Sequence, residues 1–477
     1  MNVPLTIGDV FRNAARAVPA RTAAVLEDSS ISFGELHRMS NRVVHTLQAM
    51  GVGRGDRVAV WSGTSLDAIP LFAGLAKLGA VFAPIGSDLS LDEARPVVMS
   101  AFPKLVVTDR AHAEPGGVVA TELSAPLVRL DGLAGGNVEG DGPGIPLRDA
   151  AAAATERDVP QGLISEGDPH VVFFTSGSSG RPKGALLSHR VNYLRSHPGA
   201  LLEPRGPMVC PYPLFHMGAW TIAMQQWQAR DIVILTPSAE ADVVTRAVET
   251  HQATRLNAIP AVWRRILERP EPSRPLESLR FADTGTSSTP VELLEAIERV
   301  APNAHVRVFY GSTEAGSVTS LDHVDIRRKP GSCGVPGPGT ELRLDDEGEV
   351  WVRSPLLFDG YLDDRLPLPP FSWTAGIAPV TSRPRTRRDI SPSWDGRATS
   401  SAPVASRSHP PRWSRSSPWC RGSWTLPSWA SRTRNGARWC ARPSWSRRVR
   451  HHPPSRTFGR TAVTVWRASS TRAAWSS

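Results

Sequence analysis

Residues 170–174 read HVVFF, and residues 175–184, TSGSSGRPKG, follow without a break. The first run is apolar, β-branched and aromatic, the pattern of a short buried strand. The second gathers small hydroxyls (Thr175, Ser176, Ser178, Ser179), two glycines (Gly177, Gly180) and Lys183. Glycine lets a backbone turn with positive φ, so successive N–H groups can converge on one point. The hydroxyls add donors and the lysine a mobile positive charge, a collection that suits a polyphosphate beyond a strand end. A Walker A loop would need glycine directly before the lysine. Pro182 stands there, so this is a phosphate loop of another kind. An ordinary polar surface loop is the competing reading, and the strand before it and the lysine after it weigh against that.

The rest of the chain alternates between two periods. Helical spacing runs over 5–18 until Pro19, over 66–78, 241–251 and 290–300, and Ser32 with Glu35 forms a capping-box pattern at another helix start. Strand-like runs lie at 58–61, 80–83, 104–108, 231–235, 279–282 and 306–309. Strands alternating with helices predict an α/β architecture with largely parallel sheets. Residues 112–165, rich in Gly, Ala and Pro, read as a loose surface connection. Residues 341–344 and 348–353 alternate at period two around an acidic turn, a β-hairpin of a small barrel-like subdomain.

The net charge of the 477 residues is +10, which by itself suggests an anionic partner. The average conceals two unlike parts. Residues 365–477 hold 21 Arg, no Lys, two Asp and no Glu, a net of +19, which leaves residues 1–364 at −9. The same stretch carries 10 of the 15 Trp. The four cysteines make no CxxC and no cluster with histidine, so neither a zinc site nor a disulfide framework is implied. With no basic-then-apolar leader and no run of about 18 apolar residues, the expectation is a cytoplasmic protein without stable membrane insertion.

A second motif, Tyr310-Gly311-Ser312-Thr313-Glu314, follows the strand at 306–309. Together with the 175–184 loop, in this order, it resembles the adenylate-forming superfamily of acyl-CoA synthetases, peptide-synthetase adenylation domains and luciferases. The resemblance covers residues 5–364. It implies a large N-terminal domain of two α/β sheet subdomains and a small β-barrel-like subdomain. It further implies that Thr175, Ser176, Gly177, Ser178, Ser179, Gly180 and Lys183 hold the phosphates of ATP. Tyr310 would stack on the adenine, Thr313 would bond the α-phosphate, and Glu314 would hold Mg²⁺, a hard cation that prefers carboxylate and phosphate oxygens. Gly311 and Ser312 belong to the same loop. Gly285, Thr286 and Ser287 match the adenine-edge loop, although many relatives read Gly-Gly-Ala-Pro there. Phe215-His216 matches an aromatic–histidine segment at the acyl pocket, with His216 lining the carboxylate end. Trp220, Met224 and Thr284 are expected pocket residues and point to an apolar acid. Gly334–Gly339 and Gly360-Tyr361-Leu362 match turns and are read as structural.

Past residue 364 the resemblance stops. Relatives continue into a hinge and a C-terminal domain that supplies an aspartate for the ribose, the CoA face and the lysine that drives adenylation. Here 365–477 show no periodicity, little acid, and much Ser, Arg, Pro and Trp, a composition that predicts a disordered tail. The tryptophans instead suit a GC-rich gene read out of frame. Residues 365–381, back-translated with permitted codons and re-read from the third base of the Arg365 codon, yield TAAAAVFVDGWHRTGD, which resembles the family's approach to the hinge. A one-base shift near codons 364–366 is the reading, with a basic nucleic-acid-binding tail as its competitor.

The expected function is ATP-dependent conversion of a carboxylic acid, fatty or aryl, to its CoA thioester through an acyl-adenylate, with impaired turnover in this chain. The partners are the acid, ATP and CoA, with no nucleic acid; the oligomeric state is left open. A peptide-synthetase adenylation domain and a non-catalytic nucleotide-binding protein are the alternatives.

Overall fold

The computed structural model of the chain describes residues 4–133, 142–159, 164–176, 182–197, 205–269, 276–344, 350–362 and 378–380. These all fall within Met1–Pro411. Local chemistry sets the helix starts. Ser32 caps the Phe33–Ala49 helix: its Oγ accepts from the Glu35 N–H at 3.3 Å, and Glu35 Oε2 accepts from the Ser32 N–H at 2.9 Å. Ser90 and Glu93 repeat the device at Leu91–Ala101. Gly79 at φ 75° closes Ala68–Leu78 in the left-handed region, where glycine carries no steric cost.

Among the described residues the strands assemble into two large sheets and a small one. The first has the order Gly360–Tyr361, Pro182–Ser188, Pro169–Ser176, Val81–Ile85, Arg57–Trp61, Leu105–Thr108, Leu127–Arg129, Ile145–Pro146. Its central strands are parallel and apolar on both faces, with Val81–Ile85 wholly buried, as helices covering both faces require. The second runs Val335–Pro336, Gly316–Leu321, His305–Ser312, Phe281–Gly285, Arg255–Asn257, Met208–Cys210, Val233–Leu235, Thr22–Leu26, Ser29–Ser32. Its middle is parallel, and the Gly316–Leu321 strand folds back antiparallel on His305–Ser312. One apolar cluster joins the two: Val58, Phe82 and Val171 of the first sheet and Met208, Cys210 and Val233 of the second belong to the same core. The expected α/β architecture is therefore present.

The small subdomain is a three-stranded antiparallel sheet in which Val350–Arg353 lies between Glu341–Leu344 and Ala378–Val380. The last of these falls beyond residue 364, where the sequence pattern predicts no structure. The rest of the expected tail, residues 365–377 and 381–477, lies outside the described residues, as do residues 363 and 364 before it.

Three expectations need correction. The 112–165 stretch is not a loose connection: it holds the Ala113–Glu122 helix, the Leu127–Arg129 and Ile145–Pro146 strands and the Leu147–Ala152 helix. Burial of Ala113, Val119 and Ala120 outweighs the low helix propensity of a Pro-Gly-Gly segment. The strand at 170–174 is longer, Pro169–Ser176, and pairs antiparallel with Pro182–Ser188 as one hairpin. Trp220 and Met224 do not line a pocket. Both sit on the Met217–Gln228 helix, 1% and 0% exposed, and Trp220 stacks on Phe72 at 4.0 Å between ring centroids. Core and ligand pocket ask for the same apolar residue types, so type alone could not separate them.

Candidate adenylate-forming site

Two strand ends meet at the site. Thr175 lies across from Lys183 and Ser176 across from Pro182 at the loop end of the 169–188 hairpin, and Thr175 Oγ1 donates to the Lys183 carbonyl at 3.4 Å. Gly177, Ser178, Ser179 and Gly180, which carry most of the expected phosphate contacts, lie outside the described residues. Gly184 follows the lysine; a Cβ there would press on Val172 Cγ1 at 2.8 Å.

The second motif forms the tip between the His305–Ser312 and Gly316–Leu321 strands. A register shift between Tyr310 and Gly311 bends the strand there, and a Cβ on Gly311 would run into the Gly316 carbonyl. Ser312 Oγ accepts from the Ala315 N–H at 3.0 Å, so this side chain folds its own turn. The tip is held from behind by Arg195, which donates to the carbonyls of Thr313 at 2.8 Å and Glu314 at 2.7 Å. The Phe358 N–H adds a bond to the Glu314 carbonyl at 2.7 Å.

Lys183 and Glu314 converge on Tyr361. Lys183 Nζ lies 5.2 Å from the centroid of its ring, and the Tyr361 hydroxyl donates to Glu314 Oε1 at 2.9 Å. The pairing of Gly360–Tyr361 with Leu186 and Ala185 carries this tyrosine to the edge of the hairpin. The Gly-Tyr-Leu stretch reads from sequence as a structural turn, and that pattern does not signal the contacts of Tyr361 with Lys183 and Glu314.

Phe281–Gly285 is the neighbouring parallel strand, with Gly285 opposite Phe309. A Cβ on Gly285 would collide with the Phe309 carbonyl, so glycine lets the two strands approach closely here. Thr286 adopts φ 69°, and the Ser287 carbonyl accepts from Thr289 Oγ1 at 3.1 Å. Thr284 Oγ1 and Tyr310 Oη are buried without a hydrogen-bond partner among the described residues. Burial also raises the Tyr310 hydroxyl above its ordinary pKa, so it stays protonated.

His216 caps the Met217–Gln228 helix, with Nδ1 accepting from the Gly218 N–H at 3.0 Å. Its ring stacks on Tyr212 at 5.8 Å, and burial lowers its pKa to about 4, leaving a neutral imidazole at pH 7. Tyr212, His216, Ala239, Ile259, Val262 and Thr286 line a narrow apolar cleft with a free volume of about 20 Å³. Tyr212, which sequence reading missed, is fixed by donating to Asn257 Oδ1 at 2.8 Å. Thr284 lies in the strand that leads into this wall without lining it.

Among the described residues no three His, Cys, Asp or Glu side chains come together as a metal cage. Glu314 alone fits a magnesium ion brought in on phosphate oxygens, since Mg²⁺ commonly takes one or two carboxylates with the substrate's phosphates.

A model of the AMP-binding enzyme family matches residues 11–362. The chain belongs to that family, within the adenylate-forming superfamily. It is 30% identical to the long-chain-fatty-acid–CoA ligase FadD13 of Mycobacterium tuberculosis, over 74% of this chain and 71% of that one. It is 28% identical to an indoleacetate–CoA ligase of Aromatoleum aromaticum, over 72% and 69% of the two chains. In structure it resembles ATP-bound MatB of Rhodopseudomonas palustris, with TM-score 0.65, 25% identity, and 75% and 72% of the chains covered. The matched segment of this adenylate-forming protein ends where the Gly-Tyr-Leu motif ends. Among its described residues no helix is long and apolar enough to cross a membrane.

Proposed function

We propose that residues 5–364 bind ATP with Mg²⁺ and a carboxylic acid, and that the encoded activity is acyl-CoA synthesis through an acyl-adenylate. The acid's carboxylate oxygen attacks the α-phosphorus, the bond to the bridging oxygen breaks, and pyrophosphate leaves. The CoA thiol then attacks the acyl carbonyl, AMP leaves, and the thiol proton passes to solvent. The observation that carries the reading is the convergence of Lys183 and Glu314 on Tyr361.

Both substrates are anionic, so positioning and charge neutralisation are the main tasks. Lys183 serves the phosphates together with the hydroxyls and N–H groups of Thr175–Gly180. Thr313 bonds the α-phosphate, Glu314 holds the metal, and Gly285–Ser287 and Tyr310 enclose the adenine. Neutral His216 lines the acid's entry to the apolar cleft without repelling or pairing with its charge. A fatty or aryl acid is supported by relatives named for a long-chain fatty acid and for indoleacetate, and the apolar lining of the narrow cleft is compatible with either. Cytoplasmic location is part of the same reading, since ATP and CoA are available there.

Residues 365–477 are proposed to be out-of-frame sequence in place of the C-terminal domain, and the chain to adenylate slowly or not at all. The family match ending at residue 362 supports this. Resequencing the locus tests the shift; an intact frame encoding this tail, with the tail folded, sinks it. Calorimetric titration with MgATP, and pyrophosphate release across a panel of fatty and aryl acids, test the function. Binding abolished by Lys183→Ala and made magnesium-independent by Glu314→Gln is expected. Normal turnover by the chain contradicts the impairment, and binding without turnover even after frame repair favours a non-catalytic nucleotide-binding protein.

A further inference from the structure

Arg195 ends the His189–Arg195 helix and is 8% exposed. Its guanidinium points at backbone: Nε donates to the Leu356 carbonyl at 2.7 Å, Nη1 to Thr313 at 2.8 Å and Nη2 to Glu314 at 2.7 Å. Nη1 also meets Met217 Sδ at 3.2 Å. Burial pulls its pKa down to about 10, with the attraction of Asp359 and Glu314 opposing, so the group is cationic at pH 7.

A buried cation is costly, and it is kept where its donors are satisfied. Here the planar fork satisfies carbonyls on two separate segments, which the point charge of a lysine could not span. The turn is shaped around it. Gly316 sits at φ 70°, and a Cβ there would stand 3.0 Å from Arg195 Nε.

The contacts close a ring. The Pro182–Ser188 strand holds Lys183 and leads into the Arg195 helix. Arg195 grips the Thr313–Glu314 tip and Leu356, and the chain from Leu356 reaches Gly360–Tyr361, which pairs back onto Leu186 and Ala185. Lys183 and Glu314 are thus tied through backbone as well as through Tyr361.

We propose that Arg195 is a positioning residue that fixes Glu314 relative to Lys183 and so sets the site's preference for metal-bound ATP. This rests on the MgATP reading of the site.

The test uses the full chain, Arg195→Lys and Arg195→Gln, with thermal unfolding to confirm folding and titration by ATP in Mg²⁺ and, separately, in EDTA. Arg195→Lys is expected to weaken MgATP binding by about tenfold, the loss of roughly one to two charge-assisted hydrogen bonds. Affinity for ATP in EDTA is expected to stay within about twofold. Should Arg195→Gln not fold, Arg195→Lys decides alone. Unchanged MgATP affinity in the folded lysine variant, or an equal loss with and without the metal, overturns the inference. If the parent chain binds no ATP in either buffer, the nucleotide reading itself fails and this inference goes with it. If the parent binds equally in both, Glu314 is not the metal's holder and there is no preference for Arg195 to set.

Discussion

The Tyr361 hydroxyl donates to Glu314 Oε1 at 2.9 Å, while Lys183 Nζ lies 5.2 Å from the centroid of the same ring. One aromatic side chain therefore orients both charged groups of the proposed triphosphate site. Tyr361→Phe keeps the ring and removes the bond. The expected result is a loss of about 1 kcal/mol in MgATP binding, roughly fivefold in Kd. Tyr361→Ala, which also removes the cation–π contact, should cost about another 0.5–1 kcal/mol. Titration calorimetry on both variants distinguishes the two contributions.

Gly285→Ala and Gly311→Ala place a methyl against the neighbouring backbone, the Phe309 carbonyl in one case and the Gly316 carbonyl in the other. Strand backbone cannot rotate aside as a flexible side chain can. Each substitution should destabilise by on the order of 3 kcal/mol. Gly53→Ala, whose Cβ would meet only Asp56 Oδ2 at 3.9 Å, should stay within about 0.5 kcal/mol of the parent. Denaturant unfolding of the three variants measures the contrast.

His189 is buried, with Nδ1 accepting from the Ile7 N–H at 3.2 Å and its ring 4.7 Å from that of His170. Desolvation lowers its pKa to about 4. The unfolded chain protonates this histidine near its ordinary value of 6.5, whereas the folded chain does not until about pH 4. Between those values the unfolded state binds more protons, so stability is complete above the upper one and is lost as pH falls. His189→Gln, which preserves an acceptor, should reduce the slope of unfolding free energy by up to about 1.4 kcal/mol per pH unit between pH 6 and 5. An unchanged slope would show that His189 does not contribute.

Ser32→Ala removes a capping side chain at the start of Phe33–Ala49. About 1 kcal/mol of stability should disappear with nucleotide affinity unchanged. Melting curves and ATP titrations on one preparation check both halves.

Local features were legible in the one-dimensional pattern. The Ser32–Glu35 box needs residues three apart, and its bonds form as spaced. The apolar runs at 58–61 and 80–83 became buried parallel strands because only a covered sheet tolerates such continuity. The strand before the phosphate loop is legible for the same reason, whereas the Tyr310–Glu314 motif stands out by its resemblance to the family's signature. Helical periodicity was weak in Ala113–Glu122, where Gly116 packs against Thr108, and no local rule announces a helix that exists because its small residues fit a neighbour.

Residue types and short spacings settled the alternation of strands and helices and pointed to the loops proposed to hold phosphates. They did not reveal that Tyr361 would meet Glu314, 47 positions away, or that Arg195 would clasp Leu356, 161 positions away. Those meetings depend on sheet order and register, above all the return of Gly360–Tyr361 onto Leu186 and Ala185. Such pairings form only after distant segments have packed, because loop closure must be offset by contacts that no single segment contains.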